Sequence, residues 1–414
     1  MNALTTDLPF PRNYATELLT FERGHGIYLE DTDGKQYLDL GAGIAVNALG
    51  YGRSDLARIA AEQMQKLVHV SNLYTTPPAL ELGRRLINSK TDRDGKPFAA
   101  VHFGSSGAEA NEAALKYARL YAHETRGSDH HRLLTFSSGF HGRTMGALSV
   151  TPNPKYRQKF EPLIPGVEVA PYNDVDALER IVDSTFAAVI VEVIQGEGGL
   201  STMTADFAHA LNEICARHDV MLIADEIQTG LGRTGHLYAG ETVDLRPDII
   251  SLSKPLAGGL PLSATLIPTK INELLHVGDH GTTFGGGPVT TAVALHVWDT
   301  ISDDQFLSGV RNTAEHLEHA LGELVDRFEF VRRLRGAGLL RGIELAIPTD
   351  TSADIMTRLL AVARERGLLV LKSGGNVIRI APPLIIASDE VDQGVELLQT
   401  VLSQIENEFE GVLS

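Results

Sequence analysis

Short apolar runs alternate with helical segments through the middle of the chain, between about residues 100 and 267. The runs Arg132–Phe136, Ala187–Val193 and Val220–Ala224 are almost continuously apolar, which is typical of strands buried on both faces. Helical periodicity between such runs predicts a mostly parallel sheet with helices on both sides. We therefore predict an α/β fold with this sheet at the centre of a large domain.

The two ends of the chain differ from this middle part. Near the N-terminus, apolar runs flank the turn signal Asp33-Gly34, which predicts a hairpin. After Pro288, two helical segments precede a tail in which strand and helix patterns mix. We predict a large domain at residues 70–300, and a smaller α+β domain to which residues 1–69 and 301–414 both contribute.

Charge and cysteine content exclude several classes of protein. The net charge of −17 repels phosphate backbones, so no nucleic-acid partner is expected. The single cysteine, Cys215, cannot form an internal disulfide and suits a reducing, cytoplasmic compartment. No uncharged apolar stretch approaches the ~20 residues that span a bilayer. Residues 1–10 lack the basic and apolar regions of a secretory signal, so no membrane association is expected.

Three chemically useful features follow predicted strands, where ligands bind in open α/β sheets. Gly104–Ala110 is a glycine-containing turn into a helix, whose free N–H groups favour an anion, although an ordinary turn has the same pattern. Asp225 follows a buried run and could bind a metal, act as a base, pair with a cation or only cap the strand. Lys254 follows the run Ile249–Ser253. Burial there would lower its pKa and favour a nucleophilic amine, unless the side chain only extends to solvent.

Taken together, an anion cradle, an acid and an amine match one cofactor. Pyridoxal phosphate offers a phosphate, a pyridinium nitrogen and an aldehyde that forms a Schiff base with lysine. The segment Gly230–Gly235 has the dinucleotide-binding pattern, but the residues after it do not predict a helix, so a nicotinamide cofactor is not expected. Asp129-His130-His131 is interpreted as a polar loop, and no metal site is predicted.

Nine motifs make the chain resemble the class III (subgroup II) pyridoxal-phosphate-dependent aminotransferases over nearly its whole length. They are Ala42–Asn47, Ser71–Tyr74, Ser106–Glu112, Phe140–Thr144, Gln195–Gly199, Asp225–Gly230, Ser253–Lys254, His280–Gly286 and Ile378–Pro383. The resemblance implies a PLP-dependent transferase of fold type I with pyridoxal 5'-phosphate as its cofactor.

The resemblance also implies a role for each cofactor-binding residue. Lys254 would bond covalently to the cofactor and later move a proton, and Asp225 would keep the pyridine nitrogen protonated. Phe140 would stack on the ring, and Gln228 would lie near its phenolic oxygen. The phosphate would be bound by Ser106, Gly107 and Ala108, and by Thr283 of a neighbouring subunit.

Substrate recognition follows from the same resemblance. Arg143 and Arg379 would bind carboxylates, for which a guanidinium fork is suited. Glu197 would pair with Arg379 while the amine donor is bound and release it for the carboxylate of 2-oxoglutarate. Thr282 would lie close to the substrate, and the sharing of Thr283 between subunits implies a homodimer with two shared active sites.

The activity implied is transfer of the δ-amino group of N2-acetyl-L-ornithine to 2-oxoglutarate. Its products would be N-acetyl-L-glutamate 5-semialdehyde and L-glutamate, in arginine biosynthesis. Ornithine, 4-aminobutyrate, N-succinylornithine and N-succinyl-diaminopimelate stay open as donors, since one methylene changes selectivity only about 10–200-fold. An aminomutase or racemase without net transfer is also open. Gly287, Pro255 and the turn Tyr51–Ser54 depart from the family's usual residues.

Overall fold

The computed structural model describes residues 9–11, 13 and 19–413. Its strands are β1 (Phe21–His25), β2 (Tyr28–Asp31), β3 (Gln36–Asp39), β4 (Ala100–Gly104), β5 (Arg132–Phe136), β6 (Val167–Ala170), β7 (Phe186–Val191), β8 (Ile194–Gln195), β9 (Ser201–Thr202), β10 (Met221–Asp225), β11 (Ile249–Leu252), β12 (Ser263–Ile267), β13 (Val331–Ala337), β14 (Leu340–Leu345), β15 (Leu368–Leu369), β16 (Leu371–Ser373) and β17 (Val377–Ile380).

The α-helices of the described residues follow in chain order. They are α1 (Ala42–Ala45), α2 (Ser54–Lys66), α3 (Pro77–Asn88), α4 (Gly107–Arg126), α5 (Met145–Ser149), α6 (Pro154–Arg157), α7 (Val175–Ile181), α8 (Ala205–Arg217), α9 (Thr269–Asn272), α10 (Pro288–Ile301), α11 (Asp304–Arg327), α12 (Ser352–Glu365), α13 (Ser388–Glu408) and α14 (Glu410–Leu413). Short 3₁₀ turns cover Gln158–Phe160, Ala239–Val243 and Lys254–Ala257.

The central sheet has the strand order β4-β12-β11-β10-β7-β5-β6. Neighbouring strands are parallel except that β12 runs antiparallel to both β11 and β4. Every residue of β7 and β10 is buried, which is why these strands read as continuous apolar runs. The mostly parallel sheet predicted from the sequence is confirmed.

Strands β6 and β13 are among those that were not predicted from the sequence, and the reasons differ. The edge strand β6 has four residues, of which only Ala170 is fully buried, so its apolar pattern is too short to stand out. Strand β13 carries exposed Arg332 and Arg333, and such a polar face hides the alternation that usually indicates a strand.

Both ends of the chain meet in the smaller sheets. The predicted hairpin is present, with β2 and β3 antiparallel, and β15 from the C-terminal part pairs in parallel with β3. A separate antiparallel sheet has the order β13-β14-β17-β16. These pairings join the two ends as expected, while the domain boundaries near residues 69 and 301 stay a prediction.

The described residues form three clusters of buried apolar side chains. Cys215 on α8 is completely buried, and Trp298 on α10 is 7% exposed, so both serve packing as predicted. Among residues 9–11, 13 and 19–413, no helix combines the length and apolar character needed to cross a membrane.

Candidate active site

The three features that follow strands meet where the carboxyl ends of the central strands lie. Strands β4, β10 and β11 all run in the same direction, so their carboxyl ends lie together. A cavity of about 490 Å³ opens there. Its lining includes Ser106, Gly107, Ala108, Phe140, Arg143, Asp225, Gln228 and Lys254.

The turn from β4 into α4 forms one wall of this cavity. The Ser106 hydroxyl caps α4 by accepting the N–H of Glu109 at 3.3 Å, and the Glu109 carboxylate accepts the N–H of Ser105 at 2.7 Å. A Cβ atom at Gly107 would lie 2.8 Å from the Ile227 side chain, so a larger residue at this position would displace Ile227. The first N–H groups of the helix therefore face a space that can hold an anion.

Asp225, at the end of β10, is 4% exposed and is held by three groups. Its Oδ2 accepts the Asn111 amide at 2.8 Å and the Nδ1–H of His141 at 2.7 Å. Its Oδ1 accepts the N–H of Ile227 at 3.1 Å. Burial alone would lower the pKa of His141, but the hydrogen bond to Asp225 and its negative charge outweigh burial and raise that pKa.

Glu192 lies behind Phe140 and is also buried, at 6% exposure. Its carboxylate accepts the N–H of Phe140 at 2.9 Å and that of Gly196 at 3.1 Å. Burial raises the pKa of Glu192 to about 7, against the opposing charge of His141. The carboxylates around the cavity therefore differ in environment, as is common at functional sites.

Lys254 directly follows β11 and begins a 3₁₀ turn. Burial lowers its pKa to about 8, and the positive charge of Arg379 acts in the same direction. Its φ of 21° is positive, a backbone strain often found at functional residues. Pro255 is the second residue of the turn, where a missing N–H costs little because the first N–H groups of a helical turn have no partner within it.

Arg379 lies on β17 and reaches across to the central sheet. Its Nη1 donates to the Gly196 carbonyl at 2.9 Å, to Glu197 Oε1 at 2.5 Å and to Gln228 Oε1 at 3.4 Å. Its Nε is buried and has no hydrogen-bond partner among the described residues. The Arg379 side chain is 4% exposed and the Glu197 side chain 31%, so Glu197 borders solvent while Arg379 does not.

Arg143 lies on the other side of the cavity. Its guanidinium carbon is 3.6 Å from the centre of the Tyr156 ring and 5.6 Å from that of Phe140. Stacking on aromatic rings orients a guanidinium without using its N–H groups. Within the part of the chain that the structure describes, those N–H groups are left available for a carboxylate at the mouth of the cavity.

Thr282 and Thr283 do not line this cavity. They lie on the loop before α10, which Asn72 holds by donating to the carbonyls of Thr282 at 2.9 Å and Gly285 at 3.1 Å. Thr283 is exposed. Gly287, which departs from the family's usual residue, is the residue before α10.

Three residues of the site were not assigned a role from the sequence: Asn111, His141 and Glu192. Asn111 lies four residues after Gly107, a spacing that places both on one face of α4. His141 lies within the motif Phe140–Thr144, but the resemblance implied no role for it. Glu192 stood inside an apolar run, but β7 ends at Val191, so Glu192 lies beyond the strand at the cavity edge.

The groups that line the cavity fit pyridoxal phosphate and do not suggest a metal. A helix N-terminus, a buried carboxylate and a lysine of lowered pKa line one cavity, and they match the phosphate, ring nitrogen and aldehyde of the cofactor. Within residues 9–11, 13 and 19–413, no group of three or more His, Cys, Asp or Glu side chains is placed to hold a metal ion.

Comparison with known proteins gives the family. The family model Aminotransferase class-III matches residues 10–402. The mitochondrial acetylornithine aminotransferase of Alnus glutinosa is 43% identical, over 95% of this chain and 85% of that protein. The solved N-acetylornithine aminotransferase of Stenotrophomonas maltophilia K279a is 31% identical with a TM-score of 0.82, covering 95% of this chain and 98% of that chain.

A second solved structure carries the cofactor. The ornithine aminotransferase of Toxoplasma gondii, with partial occupancy of PLP at its active site, is 30% identical with a TM-score of 0.88. The match covers 96% of this chain and 93% of that chain. The chain belongs to the class-III aminotransferase family and is a pyridoxal-phosphate-dependent aminotransferase of fold type I.

Proposed function

We propose that the protein moves the δ-amino group of N2-acetyl-L-ornithine to 2-oxoglutarate, giving N-acetyl-L-glutamate 5-semialdehyde and L-glutamate in arginine biosynthesis. The observation that carries this proposal is the Glu197–Arg379 ion pair of 2.5 Å beside the cavity that contains Lys254. A releasable arginine lets one site accept both an ω-amine and a dicarboxylate. The names of the Alnus and Stenotrophomonas relatives favour acetylornithine as the donor.

The cofactor would be held by residues from three strand ends. Backbone N–H groups of Gly107 and Ala108, with Ser106, would bind its phosphate, and Phe140 would cover its ring. Gln228 would lie near its phenolic oxygen. Pyridoxal phosphate, when bound, supplies an electron-accepting ring that stabilises negative charge at the substrate carbon.

Lys254 and Asp225 would control the positions of protons during the reaction. The neutral amine of Lys254, favoured by burial, would remove a proton from the substrate carbon and return it at another position. Asp225 would hold a proton on the ring nitrogen. His141 and Asn111 orient that carboxylate through their bonds to Oδ2.

The two arginines would bind opposite ends of the substrates. Arg143 would bind the carboxylate of the amine donor, and Arg379 the distal carboxylate of 2-oxoglutarate once Glu197 has moved away. The unpartnered Nε of Arg379 offers a further donor for that carboxylate. Each substrate is thereby oriented with its reacting end toward Lys254.

We also propose a homodimer in which Thr283 reaches the phosphate of the neighbouring site and Thr282 lies near its substrate. Both lie outside the cavity of their own chain, and large apolar side chains around them are exposed. Leu73 is 86% exposed, Tyr74 69% and Phe284 71%. We call these three residues the Leu73–Phe284 face. A second copy would bury this apolar surface.

The test is a half-reaction of the purified holoenzyme without any keto acid. Acetylornithine should change the absorbance of the bound cofactor faster than ornithine or 4-aminobutyrate, and 2-oxoglutarate should restore it. Ornithine is the second candidate donor, because the ornithine aminotransferase of Toxoplasma gondii superimposes on this chain with a TM-score of 0.88. A response to ornithine alone would retain the reaction class and reject acetylornithine.

Glutamate production separates a transferase from an aminomutase or racemase, which would form none. The cytoplasmic location stays a prediction, since the buried Cys215 suits any reducing compartment and the Alnus relative is named mitochondrial. Fractionation of the native cells would test it.

A further inference from the structure

A second cavity, of about 350 Å³, lies next to the active site on the far side of Phe140. It is polar and lies between the loop that joins β8 to β9 and the loop that joins β16 to β17. Its lining includes the side chains of Glu197, Ser201, Arg335 and Asn376, and the backbone of Gly198, Gly199, Gly374 and Gly375. Glu197 therefore faces an open polar space on one side and Arg379 on the other.

Arg335 brings a positive charge to this cavity. Its partner, Glu344, is also bonded by two other arginines. Arg332, Arg333 and Arg335 all bond to one carboxylate, that of Glu344, at 3.4, 2.8 and 2.5 Å. Three cations thus share one buried anion. If Arg335 turned away, Glu344 would keep two guanidinium partners, so it would not become an unpaired buried charge.

Hydrogen bonds connect Arg335 to the peptide that carries Glu197. Arg335 Nη1 donates to Ser201 Oγ at 3.3 Å, and Ser201 Oγ donates to the Gly198 carbonyl at 3.3 Å. Gly198 is the residue after Glu197. The guanidinium therefore lies within two hydrogen bonds of the turn from which the Glu197 side chain extends.

When Glu197 leaves Arg379, its carboxylate needs a new partner. A carboxylate in a partly buried position is costly without a partner, and this cost would oppose the exchange of Glu197 for a substrate carboxylate. A second cation within reach of Glu197 reduces that cost. The only charged side chains lining the polar cavity, among the described residues, are Glu197 and Arg335.

We propose that Arg335 is a positioning residue that receives the Glu197 carboxylate when a substrate carboxylate takes its place on Arg379. This inference rests on the proposed function, because it assumes that Glu197 gives up Arg379 to 2-oxoglutarate. Arg335 then favours the dicarboxylate complex without touching the dicarboxylate. The amine half-reaction, in which Glu197 stays on Arg379, does not depend on Arg335.

The experiment measures binding of glutarate, a dicarboxylate that cannot react, to the holoenzyme by calorimetry. Arg335→Gln should raise the Kd of glutarate about tenfold. This factor corresponds to the free energy of one hydrogen bond to a charged group. The matched control is Arg333→Gln, which also loses a bond to Glu344 but does not line the cavity, and should change Kd less than about twofold. Arg335→Lys, which keeps a cation, should lie between Arg335→Gln and the wild type.

Kinetics supply a readout that a merely structural role would not change. Arg335→Gln should raise the KM for 2-oxoglutarate while the rate of the acetylornithine half-reaction stays unchanged. In a Glu197→Gln background, Arg335→Gln should have no further effect on glutarate binding, because its partner carboxylate is gone. Melting temperatures check that each variant is folded, and Arg335→Lys replaces Arg335→Gln if the latter is not.

Two results would overturn the inference alone. One is equal glutarate affinity in Arg335→Gln and Arg333→Gln. The other is a weakened affinity on Arg335→Gln that persists in the Glu197→Gln background, which would mean that Arg335 binds the ligand directly. If instead Glu197→Gln alone changes neither glutarate binding nor the amine half-reaction, the proposed role of Glu197 itself is wrong.

Discussion

Lys254 illustrates at the scale of one residue how position sets chemistry. It leaves a completely buried strand and enters a cavity, so its ammonium form loses water contacts. The pKa falls from 10.5 to about 8, first through burial and then through the charge of Arg379. A neutral amine is therefore present near neutral pH at a fraction that an exposed lysine does not reach.

The first prediction concerns the uptake of pyridoxal phosphate by the apoenzyme. Below its pKa, Lys254 carries a proton and cannot attack the aldehyde, so the rate should rise with pH and level off above about 8. Arg379→Gln removes a neighbouring positive charge and should move the plateau to higher pH. Stopped-flow absorbance across a pH series measures both, and a rate still rising near pH 10 in the wild type would contradict the prediction.

The second prediction concerns Asp225→Asn. A close ion pair contributes about 4 kcal/mol at an effective dielectric constant of 20, so losing the charge should lower kcat by orders of magnitude. The matched control is Asp248→Asn. Asp248 directly precedes β11 and so lies at the end of the strand opposite to the cavity, where it bonds Lys270 at 2.6 Å. That change should lower the melting temperature but leave kcat nearly intact. Equal losses of kcat in both variants would count against the role of Asp225.

At the scale of elements, the turn between β4 and α4 decides where the phosphate would lie. Glycine at Gly107 lets Ile227 pack against the turn, because a Cβ there would approach the Ile227 side chain to 2.8 Å. Ile227 in turn donates its N–H to Asp225, so a displaced Ile227 disturbs the carboxylate as well. The helix start and the acid are therefore coupled through one packed side chain.

The third prediction follows from this contact. Gly107→Ala should weaken pyridoxal phosphate binding several-fold, and Ile227→Ala in the same chain should restore part of it by making room. Gly309→Ala on α11 is the control, since a Cβ there has nothing within 4 Å and should stabilise the helix by about 1 kcal/mol. Fluorescence titration of the apoenzymes measures the affinities. If Ile227→Ala gives no recovery, crowding is not the cause.

At the scale of the whole molecule, the chain carries more site residues than its own cavity uses. Thr282 and Thr283 lie on a loop beside the exposed Leu73–Phe284 face, which borders β4 at one edge of the central sheet. The opposite edge is β6. A second copy docked on the Leu73–Phe284 face would both cover this surface and supply Thr283 to the neighbouring site.

The fourth prediction tests this arrangement. Phe284→Asp places a charge on the Leu73–Phe284 face and should convert dimers to monomers, with weaker cofactor binding in the same variant. Val169→Asp is the control, because Val169 is 43% exposed on β6 and lies away from that face. Light scattering coupled to gel filtration gives the mass. A dimeric Phe284→Asp protein with unchanged cofactor affinity would refute the proposed interface.

The sequence by itself determined the sheet, the strand-to-helix turn, and the positions of Asp225 and Lys254 at strand ends. It could do so because burial on both faces demands continuous apolar runs, and parallel strands end at one edge of a sheet. The resemblance to a family then assigned roles to further residues. These inferences depend on features that are local in the chain.

The tertiary structure alone decided which side chains meet. His141 and Asp225 are 84 positions apart, and Arg379 and Glu197 are 182 apart. The triple sharing of Glu344, the polar cavity beside Glu197 and the exclusion of Thr283 from its own cavity are likewise set by packing of distant segments. Local patterns report which face of an element is buried, whereas the pairing of polar groups depends on how whole elements pack, and no short stretch of sequence carries that information.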